Sequence, residues 1–354
     1  MATLDKVFKA AINFSASDVH IVPGEPFIIR RLGRMVKMKS DKLSPEQAHR
    51  IISEILTDDQ QKKLMQDKQI DFAYEISELG RFRGSAMVHN NGLSAVFRVI
   101  PPKIKTLEEI GLPDVVTKVL DNHQGLILVT GATGQGKSTT LAGMVDYINT
   151  NRAHHVLSIE DPIEFVHPKK RGVVNQRQLS RDTLSYGKAL RAALREDPDV
   201  IVIGEMRSLD TISMAISAAE TGHLVIGTMS TFSAPKTIDR IIDAYPPDEQ
   251  NQIRAMLGES FRAVITQRLI PAADEKSMTL AAEILIGTVP MSKLIRDGKT
   301  FQIPSMMQTG KSAGMQIMDE CILSLHQEGK ITAQAAQKYA NDPKIFDKFV
   351  KEGN

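Results

Sequence analysis

A single cysteine, Cys321, is all the chain has. That excludes an internal disulfide and any four-cysteine zinc site, and Cys321 itself reads as a small buried hydrophobe. An excess of charge of one sign is missing too. A formal net charge of +2 over 354 residues gives no argument for nucleic acid or an anionic membrane as a partner. No apolar run approaches the ~20 residues that cross a bilayer, so no transmembrane segment is expected. Residues 1–14, MATLDKVFKAAINF, lack the unbroken apolar stretch and cleavage site of a signal peptide and read as a short amphipathic helix. Internal repeats and low-complexity segments are absent as well, and a cytosolic chain is expected. What remains is ordinary globular material, 42% apolar and 24% charged. The length allows two or three domains, each with its own core. Sixteen methionines are read as adaptable packing.

The first hundred residues carry short apolar runs at 26–32, 70–76 and 80–99, broken by Gly and Asn as in antiparallel strands. Between them Ser44-Pro45-Glu46-Gln47 opens a helix, with Ser44 as N-cap, Pro45 at the first helical position and Gln47 completing a capping box. A small α+β domain over residues 1–100 is expected. A linker follows at 101–112, opened by Pro101-Pro102. From 113 to 354 the pattern changes. β-branched bursts at 126–129, 156–159, 200–203, 224–226 and 280–286 suit parallel strands buried on both faces. Helical spacing fills 137–148, 183–195 and 210–219, so the expectation is an α/β sheet. Three helical segments close the chain near 315–326, 332–339 and 343–351.

Gly131, Ala132, Thr133, Gly134, Gln135, Gly136, Lys137 and Ser138 spell G-x-x-x-x-G-K-[ST], and Thr139 continues the turn. A buried strand, GLILVT, runs in and a helix runs out. The glycines let successive N–H groups face one centre, and the helix N-terminus adds partial positive charge. Lys137 can reach the β- and γ-phosphates, and the Ser138 hydroxyl can ligate Mg²⁺. This pattern predicts nucleoside triphosphate binding. Two acidic partners are available at strand ends: Glu160, in SIEDPIE, and Glu205, after VIVI. In open α/β sheets ligands sit outside those ends. One carboxylate could hold Mg²⁺ through its water shell and the other could orient the attacking water.

Together these motifs resemble the type IV pilus retraction ATPases, the PilT and PilU group of the secretion ATPase superfamily. The matching stretches are GATGQGKSTT (131–140), SIEDPIEFVH (158–167), REDPDVIVIGEMR (195–207) and AAETGHLVIGT (218–228), with weaker echoes at GRFR (80–83) and FRVIPP (97–102). The resemblance implies a RecA-like P-loop core behind a PAS-like N-terminal domain. It implies a homo-hexamer that uses ATP and Mg²⁺, in the cytoplasm at the inner membrane, against a pilus platform protein and alongside paralogous pilus ATPases. It assigns Glu160 as the glutamate that activates water and Glu205 to an atypical Walker B motif supporting Mg²⁺ through water. His223 would be a coupling residue, on a central strand whose ends both face the nucleotide. Arg81, Arg83 and Arg98 are the candidates to reach the nucleotide, since guanidinium groups neutralise charge on a transferred phosphoryl group. Assembly ATPases of this superfamily usually carry a tetracysteine zinc segment and an extra N-terminal domain; neither is expected here, which favours the retraction branch.

Two places depart from the family pattern. Ser230 stands where a second histidine is expected, and serine cannot carry positive charge. Residues 290–296 read PMSKLIR, keeping only the last three positions of a segment linked to retraction. The leading expectation is a motor for pilus retraction and twitching motility. A second is an accessory ring subunit that binds ATP, turns over slowly and modulates a paralogous motor. A nucleic-acid motor shares the core fold but finds no support in the charge.

Overall fold

The computed structural model describes residues 3–77 and 79–352. They divide into two compact units. The first runs through Lys103 and also takes Pro162–Val166; the second takes Ile104–Asp161 and continues from His167.

In the first unit, β1 (Asp18–Ile21), β2 (Ile28–Arg31), β3 (Arg34–Lys37), β4 (Gln69–Ile76), β5 (Gly80–His89) and β6 (Gly92–Ile100) form an antiparallel sheet, ordered β3-β2-β1-β6-β5-β4. Side chains alternate across the pleat. On β5, Phe82, Gly84 and Ala86 are therefore buried while Arg81 and Arg83 turn to the other face. Gly84 is required there, because a Cβ would lie 2.5 Å from the Phe72 ring. The helix Thr3–Asn13 buries Leu4, Val7, Phe8 and Ala11, the i, i+3, i+4, i+7 stripe of one helical face. Phe8 stacks on Phe82 with centroids 4.2 Å apart and meets Phe97 edge-on at 5.0 Å. The helix Pro45–Ser53 opens with the expected reciprocal capping box between Ser44 and Gln47, a device of about 1 kcal/mol.

The second unit is built on β7 (Gly125–Thr130), β8 (His155–Glu160), β9 (Val173–Gln178), β10 (Val200–Ile203), β11 (Leu224–Met229), β12 (Phe261–Pro271) and β13 (Met278–Ile286), ordered β13-β12-β7-β11-β10-β8-β9. Every pairing is parallel except β12 with β13. That exception corrects the reading of 280–286 as a parallel strand. Only residues 272–277 separate β12 from β13, closed by a bond from Ala272 N to Ser277 O. A parallel crossover needs a dozen or more residues.

Alternate residues of the central strands feed two cores. Leu126, Leu128, Leu157, Ile201 and Val225 pack toward the helices Tyr186–Ala193, Leu209–Glu220 and Ala234–Ile242. Ile127, Val129, Val156, Val202 and Ile226 pack toward the helices Val115–Leu120 and Lys137–Asn151. Burial on both faces is why these strands read as unbroken apolar runs. At the C-terminus Met318, Ile322, Ala336 and Phe346 cover Ile270 and Ala281, and Cys321 packs beside them with burial pushing its thiol pKa up. No helix among the described residues is long and apolar enough to cross a membrane.

Candidate active site

The parallel sheet puts the C-terminal ends of β7, β11, β10 and β8 side by side along one edge. The loop after β7 is the phosphate-binding turn. Gly131, Gly134 and Gly136 have φ of 142°, 83° and 83°, a region that L side chains rarely adopt. At Gly131 space is limiting as well, since a Cβ would lie 2.7 Å from the Gln267 carbonyl. β12 holds the loop from its other side: Gln135 Oε1 accepts from Leu269 N at 2.6 Å, and Gln267 Nε2 donates to Thr140 Oγ1 at 2.7 Å. Gly136 caps the fifteen-residue helix Lys137–Asn151 with no side chain of its own. Its first-turn amides face outward with the positive end of the helix dipole. Lys137 Nζ donates back to the Gly131 and Ala132 carbonyls, at 2.8 and 3.1 Å. Burial lowers its pKa and Glu205 opposes that shift. Ser138 lies exposed in the same turn.

Glu205 follows β10. Its carboxylate accepts from Arg207 Nη2 and from Ser230 Oγ, the latter at 3.0 Å. Burial would raise this carboxyl, but the Arg207 and Ser230 hydrogen bonds, with the charges of Arg207 and Lys137, hold it below its ordinary value. Glu160 closes β8 and accepts at Oε1 from Ser158 Oγ (2.7 Å) and Gln176 Nε2 (3.0 Å). Tyr186 stands close to Gly204, the residue before Glu205: a Cβ on Gly204 would lie 3.3 Å from its hydroxyl and 3.2 Å from Glu160 Cα. Burial, then the charges of Asp161, Glu160 and Glu205, drive the Tyr186 phenol pKa strongly upward, so it stays a proton donor. These groups fit a magnesium nucleoside triphosphate. The loop amides and Lys137 are donors suited to phosphate oxygens, Ser138 and Glu205 offer hard oxygen ligands or water partners, and Glu160 is an oriented carboxylate.

His223 is not at this edge. It precedes Leu224, whereas the phosphate loop follows Thr130, and β11 pairs with β7 in parallel from Leu224↔Gly125 to Met229↔Thr130. Six strand residues at about 3.3 Å each separate the two edges by roughly 20 Å. The expectation that both ends of this strand face the nucleotide is therefore corrected: only the end carrying Ser230 lies at the edge of the glycine loop. His223 Nδ1 instead lies 3.1 Å from the Ala218 carbonyl, in the turn between the helix Leu209–Glu220 and β11.

The three arginines share one face of the first unit's sheet. Arg81 and Arg83 are two apart on β5, and Arg98 lies directly across from Arg83. The same row continues through Asp18 to Arg30. Arg81 donates to Glu75 (3.1 Å) and to the Ile163 carbonyl (3.2 Å), Arg83 pairs with Glu164 (3.3 Å), and Arg98 pairs with Asp18 (3.2 Å). Sequence reasoning missed Tyr186, Arg207 and Gln176 in the second unit, and Arg30 in this row. Of these only Arg207, two residues after Glu205, had a local signal.

Residues 1–347 match the model of the type II/IV secretion system protein family. The chain is 48% identical to the type IV pilus retractation ATPase PilT of Pseudomonas aeruginosa, over 94% of this chain and 96% of that protein. It is 45% identical to the twitching motility protein of Neisseria gonorrhoeae, over 89% of this chain and 84% of the relative. Among solved structures, that of the pilus retraction motor PilT with bound ADP superposes with a TM-score of 0.86 at 40% identity, covering 98% of each chain.

Proposed function

The chain belongs to the type II/IV secretion system protein family, and from that premise we propose that it is an ATPase motor that powers type IV pilus retraction, the activity behind twitching motility. The observation that carries the chemistry is the convergence of the phosphate loop, Glu205 and Glu160 along one edge of a parallel sheet. The amides of residues 131–139 cradle the phosphates, and Lys137 moves from its loop carbonyls to the β- and γ-phosphate oxygens. Ser138 and Glu205 would hold Mg²⁺, Glu205 through water, and the bound ion would supply neutralisation of charge on the transferring phosphoryl group. Glu160 takes the proton of the attacking water, and Tyr186 holds its hydroxyl toward the same acids.

The motor works as a homo-hexamer in the cytoplasm, against an inner-membrane platform protein and beside paralogous pilus ATPases. Closure of successive interfaces couples hydrolysis to movement, with Arg81, Arg83 and Arg98 as the guanidinium groups presented to nucleotide at a boundary. His223 takes no step in hydrolysis and acts on coupling from the far edge of the sheet. Steady-state ATP hydrolysis tests the reading. Glu160→Gln should bind ATP and fail to turn it over, and Lys137→Ala should lose binding. Wild-type turnover no faster than Glu160→Gln would overturn the motor, and a strict monomer with and without nucleotide by light scattering would overturn the ring.

A further inference from the structure

A glutamate carboxyl has little preferred orientation of its own, because its last torsion is broad and roughly two-fold. Something must aim Glu160. Two donors meet its Oε1, and they differ in kind. Ser158 lies two residues back on the same strand, so it moves with Glu160. Gln176 comes from the neighbouring strand β9, where it pairs directly with Ser158. Its amide is held at both ends: Oε1 accepts from the backbone N–H of His167 at 3.0 Å, and Nε2 donates to Glu160 at 3.0 Å. A backbone N–H can only donate, so the amide oxygen must face His167 and the NH₂ must face the carboxylate.

Gln176 thereby joins the two feet of a loop. The chain leaves β8 at Glu160, runs through Pro162–Val166 and returns at His167. The feet belong to the second unit. The apex packs within the first, with Ile163 and Phe165 buried and Arg81 and Arg83 bonded to Ile163 O and Glu164. His167 is half-buried, and burial pushes its pKa down to about 4, so its ring is neutral. We propose that Gln176 is the positioning residue for Glu160: it locks the carboxyl in the direction needed to take the water's proton.

This inference rests on Glu160 being the base, and the experiment separates the two. ATP turnover is measured from pH 5.5 to 8.5 for wild type, Glu160→Gln, Gln176→Ala and the isosteric Gln176→Glu, with nucleotide affinity from a fluorescent ATP analogue. Gln176→Ala should lower kcat about tenfold to a hundredfold, with affinity within about twofold of wild type. Gln176→Glu gives the signature that a structural role would not. While the introduced carboxyl holds its proton it still donates to Glu160; once ionised, it becomes a second carboxylate facing the first. Adjacent carboxylates raise one apparent pKa of the pair. Its kcat, as a ratio to wild type, should therefore lie near one at low pH and fall about tenfold or more as pH rises. A ratio that stays level, with Glu160→Gln inactive, overturns the role of Gln176 even if the alanine variant fails to fold. Glu160→Gln turning over like wild type overturns the base itself, and the positioning role with it.

Discussion

Ser230 offers the sharpest perturbation, because its hydroxyl donates to Glu205 Oε1 at 3.0 Å while Arg207 holds the other oxygen. Ser230→Ala removes one donor and leaves the rest. A hydrogen bond to a charged group contributes about 1.5–3 kcal/mol, and the exposure of Ser230 moves this one toward about 1 kcal/mol. The sign follows from Glu205, whose folded pKa lies below its ordinary value. Its contribution is present above the ordinary carboxylate pKa and is lost as pH falls through the folded value. Ser230→Ala should therefore cost about 1 kcal/mol at pH 7.5, a fall in Tm of about 2–4 °C, and converge on wild type in acid, where Glu205 is protonated in both. Ser230→His makes the complementary test. Imidazole ionises near pH 6.5, and a neighbouring carboxylate raises that value. Below it, a third cation joins Arg207 and Lys137; above it, the ring is neutral. The ratio of its ATP turnover to wild type should change between pH 6 and 8, while that of Ser230→Ala stays level. Identical stability at pH 7.5 for Ser230→Ala, together with a level ratio for Ser230→His, would show that this position is not coupled to the acidic site.

Gly131→Ala should cost roughly 2–4 kcal/mol and ATP affinity, since its Cβ meets the Gln267 carbonyl at 2.7 Å and its φ is 142°; thermal unfolding with and without nucleotide reads both. Tyr186→Phe should slow hydrolysis about three- to tenfold without moving the alkaline limb of the rate profile, because burial and the nearby carboxylates keep the phenol protonated throughout. Glu283, buried on β13, accepts from the amides of Ala234 and Met318 at two helix N-termini, yet burial leaves its pKa raised. Its contribution is thus full at low pH and is lost as pH rises through the folded value. Denaturant unfolding should accordingly find Glu283→Ala about 2 kcal/mol less stable near pH 4, with the gap narrowing as pH rises.

Those features written in contiguous residues were legible without coordinates. The phosphate loop is one, since strand, turn and helix follow each other within residues 125–151; the Ser44 capping box is another. What escaped depends on pairing between distant segments. β9 is a polar edge strand, VVNQRQ, with none of the apolar run that marks its neighbours, so neither the strand nor Gln176 announced itself. β12 begins directly after the helix Gln250–Ser260 with no breaker between, and its apolar run is interrupted by Thr266, Gln267 and Arg268. Two of those polar residues are there to hold the loop: Thr266 bonds Thr130 at 2.8 Å, and Gln267 bonds Thr140. Tyr186 opens a helix with ordinary amphipathic spacing, and only the fold brings its hydroxyl to Gly204, where the charges of Glu160 and Glu205 both act on it.

Strand polarity decides what the stretch from Glu220 to Ala234 does. Its motif reads as one unit in sequence, yet a parallel sheet sorts it into two ends with different neighbours. At the far edge, the His223 ring and amide nitrogen both point at the Ala218 carbonyl, and the His223 carbonyl accepts from Gly125 N, so this residue fixes where β11 and β7 begin. At the near edge, Ser230 meets the carboxylate proposed to support Mg²⁺. Between them lie six fully buried residues bonded on both sides to parallel strands, a rod with no slack. Influence passing from His223 to the nucleotide must move that rod as a whole, and with it β7 and β10, whereas a change at Ser230 acts on Glu205 with no intermediary. The histidine missing at 230 is thus a change in the chemistry of the site, and the histidine retained at 223 belongs to the mechanics of the sheet.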